Sequence, residues 1–256
     1  MNLTTKTLLA SLLGASALAV PVPKGSALVR RNPPLNQFLT ALLDQLPAIN
    51  GPITAVSGVI TDLDQLLANL LGAQTTEDGF SGACAEYSVL FARGTSEPGN
   101  VGVLVGPPLA EAFVQVAGAS NVAFQGVNGY GATVEGYLEG GEPAGGTSMA
   151  TQASAILAKC PNTKLVMSGY SQGCQIVHNA IEQLPAQDAS KISSVLLFGD
   201  PDKGKALPNV NASRVLTVCH ATDTICENSV VIGPAHLTYA VDVDTAVNFA
   251  VAAAGN

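Results

Sequence analysis

Tryptophan is absent from this chain, and phenylalanine and tyrosine bring the aromatic share to only 5%. A contact surface built on stacked indoles is therefore excluded, and an aliphatic one is expected. Charge is scarce as well: 12% of residues are charged, with 11 basic residues against 19 acidic ones. The net charge of −8 repels phosphates, which excludes nucleic acid as a partner. Only three histidines occur, there is no H-E-x-x-H, and Asp242-Val243-Asp244 lacks the rest of a calcium loop. No metal and no cofactor is expected. Gly199-Asp200-Pro201-Asp202-Lys203-Gly204-Lys205-Ala206 comes close to a phosphate loop. Ala206 removes the hydroxyl that binds magnesium, however, and two aspartates would face the phosphates.

The apolar stretch from Leu8 to Leu18 is too short for a membrane span, which needs ~20 residues. With Lys6 before it and Ala17-Leu18-Ala19 closing it, it reads as a secretory signal over 1–19. Arg30-Arg31 then marks a dibasic processing site, with a propeptide over 20–31 and the working protein starting near Asn32. A secreted, extracellular chain makes its five cysteines a disulfide question. A short polar turn separates Cys219 from Cys226, which makes a local bridge natural; Cys84 and Cys160 would then close a long loop. In the chain-entropy model the long bridge contributes ~4–5 kcal/mol and the short one ~2–3 kcal/mol. Cys174 is left over and reads as a small buried hydrophobe. Asn211-Ala212-Ser213 is a glycosylation sequon.

Two patterns follow the processing region. Leu35, Phe38, Leu39, Leu42, Leu43 and Leu46 recur at helical spacing behind Asn32-Pro33-Pro34, and Pro47 ends the run. Ile53, Val56, Ile60, Leu63, Leu67 and Leu70 form a second helical face before Gly72. These helices make residues 32–80 an N-terminal helical extension, ahead of a catalytic domain over 81–256. From Cys84 onward apolar strands alternate with helices. Strands are expected at 85–92, 121–125, 164–168, 193–198 and 214–219; helices at 108–116, 149–159, 172–184 and 244–253. Continuous apolar strands alternating with helices predict an α/β fold: a central, mainly parallel sheet between helical layers.

Gly169-Tyr170-Ser171-Gln172-Gly173 sits at one strand-to-helix junction and matches G-x-S-x-G. A serine hydroxyl needs a base to take its proton, and the base needs a carboxylate to orient it. Of the three histidines, His178 lies ~10 Å along the following helix from Ser171, out of reach. His220 follows a cysteine expected to be bridged. His236 stands in a loop just before the last helix, where such a fold places its base. For the carboxylate, Asp223 leads because the Cys219–Cys226 turn would fix its direction; Asp200 and Asp202, one strand earlier, are the rivals. The Gln172 N–H opens the helix and faces a developing oxyanion, and Thr95 offers a second donor from the loop after the first strand.

The assembled residues resemble the fungal cutinases. The matching pieces are Phe91-Ala92-Arg93-Gly94-Thr95-Ser96-Glu97-Pro98-Gly99-Asn100, Gln125-Gly126-Val127, the Ser171 pentapeptide, Asp223 with Cys226, and Pro234-Ala235-His236-Leu237. The resemblance implies an α/β-hydrolase fold, with Ser171, Asp223 and His236 as triad and Thr95 with the Gln172 N–H as oxyanion hole. It implies the bridges Cys84–Cys160 and Cys219–Cys226, and an apolar groove rim at Val134, Ile232 and Leu237. The expected activity is hydrolysis of esters in hydroxy fatty acid polymers, and of soluble esters, by a monomer that meets lipid or polymer interfaces transiently. Thr95-Ser96 departs from the Ser-Thr of many members but keeps a hydroxyl. The segment 32–73 exceeds the minimal fold and resembles members with an N-terminal extension, where it either packs on the sheet or forms a lid. Two other readings compete: an acetylxylan-type carbohydrate acetyl esterase of the same fold, and a noncatalytic surface-binding protein.

Overall fold

A computed structural model describes residues 35–255 of the chain. The signal and propeptide expected over 1–31 lie outside the described residues. In chain order the elements are α1 (Leu35–Gln45), β1 (Gly51–Pro52), α2 (Ile53–Leu71), β2 (Tyr87–Ala92), α3 (Gly106–Ala117), β3 (Val122–Gly126), α4 (Val134–Leu138), α5 (Pro143–Lys159), β4 (Lys164–Tyr170), α6 (Gln172–Gln183), α7 (Ala186–Ala189), β5 (Ile192–Phe198), β6 (Val215–Val218), β7 (Val231–Ile232) and α8 (Val243–Ala254). β2 to β6 make one five-stranded sheet in the order β3-β2-β4-β5-β6, parallel throughout.

Alternation of side chains along the strands divides the core in two. Val89 and Phe91, Val166, Leu196 and Phe198 face one side, where they join residues of α1, α2, α3 and α8. Leu90 and Ala92, Leu165 and Met167, Val195 and Leu197 face the other, where they meet α5 and α6. Strands apolar on both faces need helices on both, which is the physical reason for the three-layer arrangement. At the C-terminal edge of the sheet, the loops after β2, β4 and β6 converge. The Cys84–Cys160 bridge joins the segment before β2 to the end of α5, and Cys219–Cys226 closes the loop after β6.

The helices of the 35–71 segment are part of this core. Phe38 and Leu42 of α1, and Ile60, Leu63 and Leu67 of α2, are buried on the α3/α8 side. α2 is anchored at its start by a two-residue antiparallel pairing, Gly51 with Ile232 and Pro52 with Val231, and by Ile53 N–H donating to Val230 O at 2.8 Å. Its end is capped by Gly72 in the left-handed region at φ 59°. Outward, α1 and α2 leave Leu43, Val59, Leu66 and Leu70 exposed.

Candidate active site

Ser171 terminates β4 and precedes α6 with φ 56° and ψ −124°, a conformation that costs a non-glycine residue of order 1–3 kcal/mol. The two flanking glycines permit that turn. A Cβ at 169 would lie 2.3 Å from Gly173 O, and one at 173 would lie 2.0 Å from Ala92 O. The chain can turn so sharply only where both positions are bare. The turn lifts the Ser171 hydroxyl to the sheet edge while α6 opens directly behind it, so the amides of its first turn have no intrahelical acceptor.

His236 sits in the short turn Pro234–Leu237 and is buried. Its Nδ1 meets Asp223 Oδ2 at 2.8 Å. Asp223 Oδ1 accepts from Ile225 N–H at 3.1 Å, and Oδ2 accepts a further bond from the Tyr239 hydroxyl at 2.6 Å. Burial pushes the Asp223 carboxyl up, but the bonds from His236, Tyr239 and Ile225 outweigh it and hold the group below the usual carboxylate range. An ionised carboxylate only accepts, so Nδ1 of His236 carries a proton and the Nε2 lone pair is the basic one. That Nε2 is buried and makes no hydrogen bond. Ser171 and His236 line one cavity, and no hydrogen bond joins them.

The rival carboxylates lie elsewhere. Asp200 is buried against His178, 3.1 Å from its Nε2, and His178 is itself a buried packing residue. Asp202 N–H donates to the Asp200 carboxylate, which binds the start of that loop to the same pair. Cys174 is free and fully buried, and burial raises its thiol well above the ordinary value.

Thr95 lines the same cavity as Ser171. Its hydroxyl oxygen accepts from the Gln172 side-chain amide at 2.9 Å, so the Thr95 proton is left to point elsewhere. The other Gln172 amide proton goes to Thr133 O at 2.7 Å. Gln172 thus contributes a backbone N–H at the helix start and a side chain that orients the hydroxyl beside it. Glu97 shapes the loop that carries Thr95. It is buried, its Oε2 accepts from Gly94 N–H at 2.7 Å, and its Oε1 accepts from Val103 and Leu104 N–H, each at 2.9 Å. Burial raises its carboxyl, and these three bonds together with Arg93 partly restore it.

The remaining walls are mainly apolar. Leu104, Ile232 and Leu237 belong to the main core, and Ile53, Ser57 and Ile60 come from α2, which lies across the cavity. Val134 begins α4 and stays outside this lining, packed against the core instead. Among the described residues there is no group of three or more His, Cys, Asp or Glu that could hold a metal ion, and no helix long and apolar enough to cross a membrane.

A family model described as Cutinase matches residues 83–254. The chain belongs to the cutinase family. Its members are carboxylic ester hydrolases, and the likeness spans most of the length of the relatives matched. Cutinase pbc1 of Pyrenopeziza brassicae is 48% identical over 202 residues, covering 79% of this chain and 98% of that protein. A solved structure, Trichoderma reesei cutinase in complex with a C11Y4 phosphonate inhibitor, is 43% identical. It superposes with a TM-score of 0.72 and covers 87% of this chain and 99% of its own. An acetylxylan esterase structure shares the fold alone, at 20% identity and a TM-score of 0.57 over 68% of this chain.

Against that cutinase frame, Tyr239, Glu97 and Asp64 were not singled out in the sequence. Tyr239 carries a detectable signal, since it follows His236 by three residues and can return to the same pocket. Asp64 also had one: Ile60, Leu63, Asp64 and Leu67 stand at i, i+3, i+4 and i+7 of α2 and are all buried.

Proposed function

We propose that this protein is a secreted cutinase-type serine esterase that hydrolyses ester bonds of cutin-like aliphatic polyesters and of shorter acyl esters. Ser171, His236 and Asp223 form the triad, and the Thr95 hydroxyl with the Gln172 N–H forms the oxyanion hole. The observation that carries this reading is the strained Ser171 sharing an apolar cavity with a histidine whose outer nitrogen is bonded to an ionised aspartate. Nε2 of His236 takes the Ser171 proton as Oγ attacks the ester carbonyl carbon. The carbonyl oxygen becomes an oxyanion facing Thr95 and Gln172. The alkoxide leaves with the proton from His236, and water then attacks the acyl-enzyme with His236 again as base. Activity falls in acid, because a protonated Nε2 cannot accept the serine proton.

Aliphatic lining at Ile53, Ile60, Leu104, Ile232 and Leu237 favours an alkyl acyl chain over a sugar acetate. Residues 81–256 form the catalytic unit, and 32–80 an extension whose α2 covers the cavity as a lid. Leu66 and Leu70 point outward from α2 and would settle on a lipid or polyester surface as it moves. The two disulfides fit export through an oxidising compartment by way of a signal over 1–19 and a propeptide over 20–31. The test is the hydrolysis rate of 4-nitrophenyl esters from acetate to palmitate, with and without detergent micelles. A maximum at butyrate or longer, raised by micelles, is expected. A rate confined to acetate would replace this reading with a carbohydrate deacetylase, and indifference to micelles would remove the lid.

A further inference from the structure

Tyr239 opens the short turn Tyr239–Asp242 that leads into α8, and it is among the largest fully buried side chains. Its ring stands edge-on to His236, with centroids 6.0 Å apart at 87°, and stacks on His220 at 4.1 Å and 22°. The hydroxyl accepts from His220 N–H at 3.0 Å and donates to Asp223 Oδ2 at 2.6 Å. The direction of the second bond is fixed by the first. A backbone N–H can only donate, so the phenol proton is left for the carboxylate. Burial first, and then the bond to Asp223, raise the Tyr239 hydroxyl well above its ordinary value, so it stays a donor.

The oxygen it binds is the one that His236 binds. Asp223 Oδ2 holds both the His236 Nδ1 proton and the Tyr239 proton, while Oδ1 holds Ile225 N–H. Tyr239 is itself held in place by a second His–Asp pair. His220 Nε2 lies 2.8 Å from Asp242 Oδ2, and its Nδ1 lies 2.8 Å from the carbonyl of Ala235, the residue before His236. The loop carrying the base, the start of α8 and the turn carrying the carboxylate are thereby tied together around one phenol ring.

We propose that Tyr239 is a positioning residue for ester hydrolysis, its hydroxyl fixing the Asp223 carboxylate and moderating its hold on the His236 imidazole. The inference rests on the triad reading above. Two consequences follow. Without the hydroxyl the carboxylate keeps one bond on each oxygen, from Ile225 N–H and from His236 itself, so its plane and with it the imidazole are held less firmly. The hydroxyl also draws charge from Oδ2, and its loss leaves a more basic carboxylate that favours the imidazolium. The acid limb of kcat/KM then moves to higher pH.

The experiment compares the full chain with Tyr239→Phe, which keeps the ring and removes one oxygen, and with 3-fluorotyrosine at the same position. Ser171→Ala is run in parallel. The phenylalanine variant is expected to lose kcat about tenfold on a soluble ester, with KM within about twofold and the acid limb displaced upward. Fluorotyrosine is a stronger donor of nearly the same shape, and it is expected to displace the limb downward. An unmoved acid limb in both variants overturns the inference, even if kcat and Tm fall, because the residue then serves folding alone. Full activity in Ser171→Ala would instead overturn the triad reading itself, so the two failures are told apart.

Discussion

Asp64 is fully buried on α2, and neither of its carboxyl oxygens has a hydrogen-bond partner. Burial, and after it the charge of Glu97, raise its carboxyl well above the ordinary range. The folded value therefore exceeds the unfolded one of about 4. Folding is favoured by the bound proton, so that contribution is whole below about pH 4 and is lost as the pH rises through the raised value. Asp64→Asn keeps the shape and removes the titration. A buried group without partners costs ~1–3 kcal/mol, and more when charged. A gain of about 2 kcal/mol in a chain of this size raises Tm by roughly 4–8 °C. Scanning calorimetry at pH 4, 6 and 8 should show wild type and variant together at pH 4 and the variant ahead by that amount at pH 8. Lifting α2 would return the charge to water, so the variant should also have a lower basal rate at pH 8 and a larger stimulation by micelles. A variant with the same Tm offset at all three pH values, or one less stable at pH 8, would refute the reasoning.

Thr95→Ala should lower kcat about a hundredfold by removing one oxyanion donor, while Thr95→Ser keeps most of the rate; a change confined to KM would count against the hydroxyl's role. Glu97→Gln places an amide against buried N–H groups of the Thr95 loop, and should cost about 2 kcal/mol or more, read as a lower Tm in thermal denaturation. Opening the Cys219–Cys226 bridge by double serine substitution should cost ~2–3 kcal/mol of stability and lower kcat, since Asp223 lies inside that loop. Unchanged kcat in a folded double variant would show that the turn holds Asp223 without the bridge.

Much of the fold was legible because its strands are short apolar runs bounded by turns, a pattern that both faces of a covered parallel sheet require. The elbow at Ser171 was legible for the same local reason: the two glycines report the close approach of Gly173 O and Ala92 O. Other features arise only from distant contacts. The start of α5 was missed because Gly145 and Gly146 weaken the helical pattern, and their bareness reflects close packing on Tyr130 and Asn179. The pairing of β1 with β7 involves two residues on each side, one of them proline, and no sequence period can announce it. Val134, expected at the groove rim, is half-buried at the start of α4, where it packs against the core. Asp64 looks like an ordinary polar helix residue until its place in the buried stripe of α2 is counted.

The most direct test of the account is covalent labelling with an alkyl phosphonate ester, which reacts only with an activated serine in a working oxyanion hole. The chain is incubated with the reagent in detergent micelles and its peptides are weighed by mass spectrometry. One adduct is expected, on the peptide containing Ser171, absent from Ser171→Ala and strongly slowed in His236→Ala. An adduct that persists in Ser171→Ala, or a folded wild-type chain that stays unlabelled, would contradict it.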